Sequence, residues 1–227
     1  MHWDEDARQA VDATLSESDV LGIRPEPSSS WCDLLLHVLA LPEAGPIDPD
    51  ARRILRLTLP AQVSVLLRTE TFVPRTGQMG SVGFGPVIPL ADLDAVEDFF
   101  ASLTWWESMC GWKFLDDQSL TDDWPDQPSL TLDVRRTAGS HLLYGFNECG
   151  PNEGSTTASY CIEGTVTFED LEVLRADETP QPLAEFIADG RRYWHALHGR
   201  DERLSVEAQR AAQARTPSWR CRTSRTP

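Results

Sequence analysis

Hydrophobic and polar positions change their spacing several times along this chain, and each change marks an expected element. Ala7, Val11 and Leu15 recur four apart within Asp4–Leu15, which predicts a short helix. The next hundred residues read as β-rich. Trp31–Leu41 sets Cys32, Leu34, Leu36 and Val38 on one face, with Asp33 and His37 on the other. Leu55, Leu57 and Leu59 alternate with Arg56 and Thr58, and Val63, Val65 and Leu67 alternate with Ser64 and Leu66. Each run suits a half-buried strand, and Pro60 is expected to separate them.

A Gly-rich stretch, Thr76–Pro86, reads as a flexible hairpin connection leading into Val87–Leu90. Leu93, Val96, Phe99, Phe100 and Leu103 then fall at helical spacing, behind Asp92, Asp94 and Glu97, which suit a helix N-terminal end. Leu115–Pro128 reads as a polar acidic loop. A second β-region covers Ser129–Arg135, His141–Asn147 and Tyr160–Leu174; the last is long enough to be two strands joined near Glu169. Thr179-Pro180 is expected to open a helix with Leu183, Phe186, Ile187, Tyr193, Trp194 and Leu197 as its apolar stripe. Gly190 weakens that helix by about 1 kcal/mol relative to Ala, so it is expected to mark close packing against a sheet.

Strands, a helix, more strands and more helices, without regular βαβ alternation, define the expected class. It is α+β and β-rich, an antiparallel sheet or sandwich with flanking helices. The 227 residues suit one large domain, expected to span residues 1–204. From Ser205 the character changes: five arginines stand against one acid, Glu207. Residues 205–227 are therefore expected to be a basic, Arg-rich, partly disordered C-terminal extension.

Charge narrows the partners. Acids outnumber Lys and Arg by 36 to 20, giving a formal charge of -16. Nucleic-acid binding needs cations to displace phosphate counterions, so neither nucleic acid nor an anionic membrane is an expected partner. The N-terminus lacks a basic and apolar leader, and no apolar run approaches a bilayer span. The five cysteines are odd in number and form no C-x-x-C pair. Those features lead to an expectation of a cytoplasmic protein with reduced thiols.

The most unusual segment carries Trp105, Trp106, Trp112 and Trp124, half of the eight tryptophans within twenty residues. Tryptophan offers a flat apolar face and one N–H donor, which suits a partner protein or a sugar ring; it equally suits the end of a core. Interleaved are Asp116, Asp117, Asp122, Asp123 and Asp126. Such carboxylates could serve as a solvated acidic face, hold a hard cation or perform two-carboxylate hydrolysis, but EF-hand spacing is absent.

Other chemistry is thinly supported. His195 and His198 lack a second close-spaced ligand pair, so no metal and no cofactor is expected. Cys110 and His141 would act together only if the fold joined them, and no G-x-S-x-G elbow occurs. Asn147, Glu148 and Asn152 lie in a polar turn that could rim a site.

Two functions from different classes fit these residues. One is a non-enzymatic binding protein, of inhibitor or immunity type, that turns its acidic, Trp-rich segment to a basic protein. The other is a small hydrolase using the same carboxylates on a sugar-like or metal-bound substrate. Absence of a catalytic motif favours the first.

Overall fold

A computed structural model describes residues 5–26, 30–48, 50–75, 78–102, 111–135, 139–149 and 159–213. The architecture is α+β, with two antiparallel sheets and helices around them. In chain order the strands are β1 (Asp19–Glu26), β2 (Trp31–His37), β3 (Arg52–Thr58), β4 (Gln62–Arg75), β5 (Gln78–Val87), β6 (Gly111–Leu115), β7 (Leu130–Asp133), β8 (His141–Cys149), β9 (Ser159–Phe168), β10 (Asp170–Arg175) and β11 (Pro180–Gln181). The helices are α1 (Glu5–Leu15), α2 (Leu93–Ser102), α3 (Leu183–Gly199) and α4 (Val206–Gln213).

The first sheet runs β1-β2-β3-β10-β11 and the second β5-β4-β9-β8-β6, with β7 beside the start of β4. Two neighbouring strands tie the sheets together. β3 pairs with β10 in the first sheet; their chain neighbours β4 and β9 pair in the second. The chain therefore crosses between sheets twice at one corner, through Leu59–Ala61 and through Glu169. Hydrogen bonds from Glu169 N–H to Thr58 O (3.0 Å) and from Ala61 N–H to Thr167 O (2.8 Å) hold the two crossings together. Pro60, with no N–H to leave unsatisfied, suits a break between ladders. Leu59 takes a left-handed backbone, φ +50°, at the same bend.

The crossing also explains the phase of the long second β-run. Ile162, Val166 and Phe168 face the core in β9, whereas Leu171 and Val173 do so in β10, a one-residue shift at Glu169. The shared core joins Cys32, Leu36, Leu55 and Leu57 of the first sheet to Val63, Val65, Leu67 and Val166 of the second. Val11 and Leu15 of α1, Val96 of α2 and Phe186 of α3 complete it.

Several sequence expectations need correction. The Gly-rich stretch is largely strand: β5 pairs antiparallel with β4. Gly85 allows this approach, because a Cβ there would lie 2.0 Å from Thr69 Oγ1. Strands β1 and β6 were not expected; Gly22 and Pro25 disguise the first, and a cluster of tryptophans overshadows the second. The last long helix starts at Leu183 rather than at Pro180, since Pro180 and Gln181 pair with β10. Gly190 packs against a helix rather than a sheet: a Cβ would sit 2.5 Å from Thr14 Cγ2 of α1. Leu197, expected in the buried stripe, is exposed while Ala196 is buried. α4 occupies the start of the basic extension, and residues 214–227 lie outside the described residues. No described helix is long and apolar enough to cross a membrane.

Candidate functional site

The acidic loop begins where β6 ends. Asp116 adopts a left-handed backbone, φ +63°, a conformation that Asp tolerates better than most residues, and turns the chain away from the sheet. Its carboxylate is fully engaged. Oδ1 accepts the Leu142 N–H (2.9 Å), while Oδ2 accepts from Arg8 Nη1 (3.0 Å) and lies 3.1 Å from His141 Nδ1. Burial works to raise its pKa, but the Leu142 amide, His141 and Arg8 outweigh burial and hold it below the usual carboxylate value. Asp117 caps the short 3-10 turn Gln118–Thr121, accepting the Ser119 N–H (3.1 Å) and hydroxyl (2.6 Å). Asp122, Asp123 and Asp126 are exposed.

Trp124 pins this loop to the second sheet. Its indole N–H donates to Glu163 Oε1 at 3.1 Å. The same oxygen accepts the Tyr144 hydroxyl at 2.9 Å, and Arg68 pairs with Oε2. Glu163 is 8% exposed, so each donor offsets the cost of burying a carboxylate. Tyr144 is correspondingly hard to ionise: burial, then the Glu163 charge, raise its pKa. Arg68 also stacks over Phe84, 3.9 Å from the ring centroid. Register places Leu66 opposite Glu163 on this face, turned from the inter-sheet core, and Leu66 is fully buried.

The remaining candidate residues fall elsewhere. Trp105 and Trp106 lie outside the described residues, as do Cys110 and Asn152. Trp112 is opposite Phe146 in the β6–β8 pairing, and its side chain lies outside the described part. Asn147 and Glu148 are within β8 rather than in a turn, which corrects that expectation. His195 and His198 are exposed on α3. Cys32 and Cys161 are buried free thiols; burial, then the Asp33 charge, push Cys32 up to about 12. Among the described residues no cluster of His, Cys, Asp and Glu could hold a metal ion.

An apolar cavity of about 50 Å³ lies between the sheets, walled by Val20, Leu36, Val65, Val96, Phe100 and Ile162. None of the loop's acids lines it. Of the groups around the loop, Arg8, Asp12, Tyr144, Glu163 and Arg68 were not singled out as site residues from sequence, and His141 was weighed only as a partner for Cys110. The available signal was an acid, Glu163, inside an otherwise apolar and hydroxyl strand pattern.

These features define a protein class by architecture: a two-sheet α+β protein that carries an acidic loop pinned across one sheet. Comparison with protein-family models, curated proteins and solved structures finds no match.

Proposed function

We propose that this chain is a non-enzymatic binding protein of inhibitor or immunity type that receives a basic partner protein on an acidic surface. The observation that carries this reading is one backbone bond, Leu90 N–H to Ser129 O (2.9 Å). It joins two acidic segments that are far apart in sequence. Asp92, Asp94, Glu97 and Asp98 begin two residues after Leu90, and all four are exposed. Asp122, Asp123 and Asp126 end three residues before Ser129 and are exposed too. Seven exposed carboxylates thus stand on two segments that this bond joins, on a chain whose formal charge is -16. Complementary charge accelerates encounter and selects against acidic partners.

The Trp124–Glu163 clamp adds preorganisation. A loop already fixed to a sheet loses less conformational entropy on binding than a free one.

The test is affinity capture from the native host's lysate, with the unaltered chain and an Asp122→Asn, Asp123→Asn, Asp126→Asn variant side by side. At about 0.05 M salt the unaltered chain should retain a basic protein; the variant should retain at least tenfold less. Raising salt to about 0.5 M should release the partner, because screening shortens the reach of exposed charges below roughly 5 Å. Equal capture by both chains, or capture indifferent to salt, would overturn the reading.

A further inference from the structure

α1 meets the edge of β6 through two side chains one turn apart, Arg8 and Asp12. Arg8 donates to Asp116, and one carboxylate oxygen of Asp12 accepts the Leu115 backbone N–H. That amide belongs to a strand whose described ladder runs only to β8. The other oxygen, Asp12 Oδ1, is buried without a hydrogen-bond donor. Among the described residues, Arg8 and His141 both bond to Asp116 rather than to this oxygen. Three carboxylates, Asp12, Asp116 and Asp117, therefore share this junction, and among the described residues positive charge pairs with Asp116 alone of the three.

We propose that α1 is a proton-dependent latch on the edge of β6, gripping while Asp12 carries a proton and loosening when that proton leaves. A half-buried carboxyl with one oxygen shut off from solvent, facing two like charges, is favoured in its neutral form. Consistent with that geometry, burial, opposed by the Leu115 amide and reinforced by Asp116 and Asp117, raises the Asp12 pKa to about 7. The other helix packed on α1 brings no compensating charge: α3 offers the Trp194 N–H to Ala13 O and Gly190 to Thr14, while Arg191 and His195 on the same turns are exposed.

The sign follows from linkage. Docked α1 binds the Asp12 proton more tightly than free α1, whose carboxyl has the ordinary value near 3.8. The grip is complete below that ordinary value, weakens as pH rises towards about 7, and is constant at its weakest above it.

Hydrogen–deuterium exchange on the full chain tests the latch, with rates corrected for intrinsic exchange. Local opening at α1 and at the Leu115 amide should rise at least tenfold between about pH 5 and about pH 7.5, then level off. Asp12→Asn keeps an acceptor for Leu115, cannot ionise, and should remain protected across that range. An unaltered chain with pH-independent protection overturns the proposal. So does a variant that keeps the rise, which would assign it to a group other than Asp12. Should the variant not fold, carbon-13 carboxyl titration of the unaltered chain decides: a midpoint near 7 supports the latch and one near 3.8 overturns it.

Discussion

At the scale of single residues, converging donors offset the burial of charge at Asp33. Asp33 is 3% exposed in β2, and register sets it between Arg24 of β1 and Arg56 of β3. Arg56 bonds both carboxylate oxygens, at 2.8 and 2.9 Å, and itself stacks 4.5 Å over the Trp31 ring. Sequence alternation put Asp33 on a polar face; the neighbouring strands turned that face into a buried ion pair. Gly190 makes the opposite point, since its value lies in what is missing. Gly190→Ala gains helix propensity of about 1 kcal/mol but drives a methyl group into Thr14, and overpacking costs about 1–3 kcal/mol. The expected net result in denaturant titration is a loss of up to about 2 kcal/mol. Adding Thr14→Ala removes the atoms the new Cβ would strike, and should recover most of that loss; a double variant no better than the single would mean the helices are held apart by something else.

At the scale of elements, the loop from Asp116 to Ser129 is positioned by a few polar contacts rather than by regular structure. Trp124 is its central anchor. Trp124→Phe retains an aromatic ring but removes the N–H that Glu163 accepts. Stability should fall by about 1.5–3 kcal/mol, the range for a hydrogen bond to a charged acceptor. Limited proteolysis within residues 116–128 should also become several-fold faster. Unchanged cleavage would show that the Trp124 ring alone holds the loop. Legibility at this scale was uneven for physical reasons. The helical stripe Leu93–Phe100 was readable because α2 buries one face. β5 was not, because its glycines carry no periodic signal, and one of them, Gly85, lies close against Thr69 across the ladder. β11 is only two residues long, below any period, and only pairing with β10 identifies it.

At the scale of the whole molecule, a formal charge of -16 sets a background repulsion that the fold must tolerate. Exposed carboxylates on neighbouring segments, such as Asp92–Asp98 and Asp122–Asp126, repel one another in the absence of a partner. Raising salt from about 0.01 M to about 0.2 M should therefore raise Tm by a few degrees, as the Debye length falls from roughly 30 Å to roughly 7 Å. A Tm that falls with salt would mean that the matched pairs, Arg56 with Asp33 and Arg68 with Glu163 among them, outweigh the unmatched acids.

Sequence by itself determined the class of this protein. Alternating strands such as Leu55–Leu57 and Val63–Leu67, with helical stripes on α1 and α2, require an α+β fold because each pattern must bury one face. It also determined the charge, from which the proposed basic partner was read. Tertiary structure alone decided that adjoining strands belong to different sheets, that Glu163 meets Trp124, Tyr144 and Arg68, and that Asp12 lies beside Asp116. Those contacts join residues from 19 to 104 positions apart, a separation no local period encodes; they form only when β4, β8 and β9 pair in the second sheet and α1 packs beside β6.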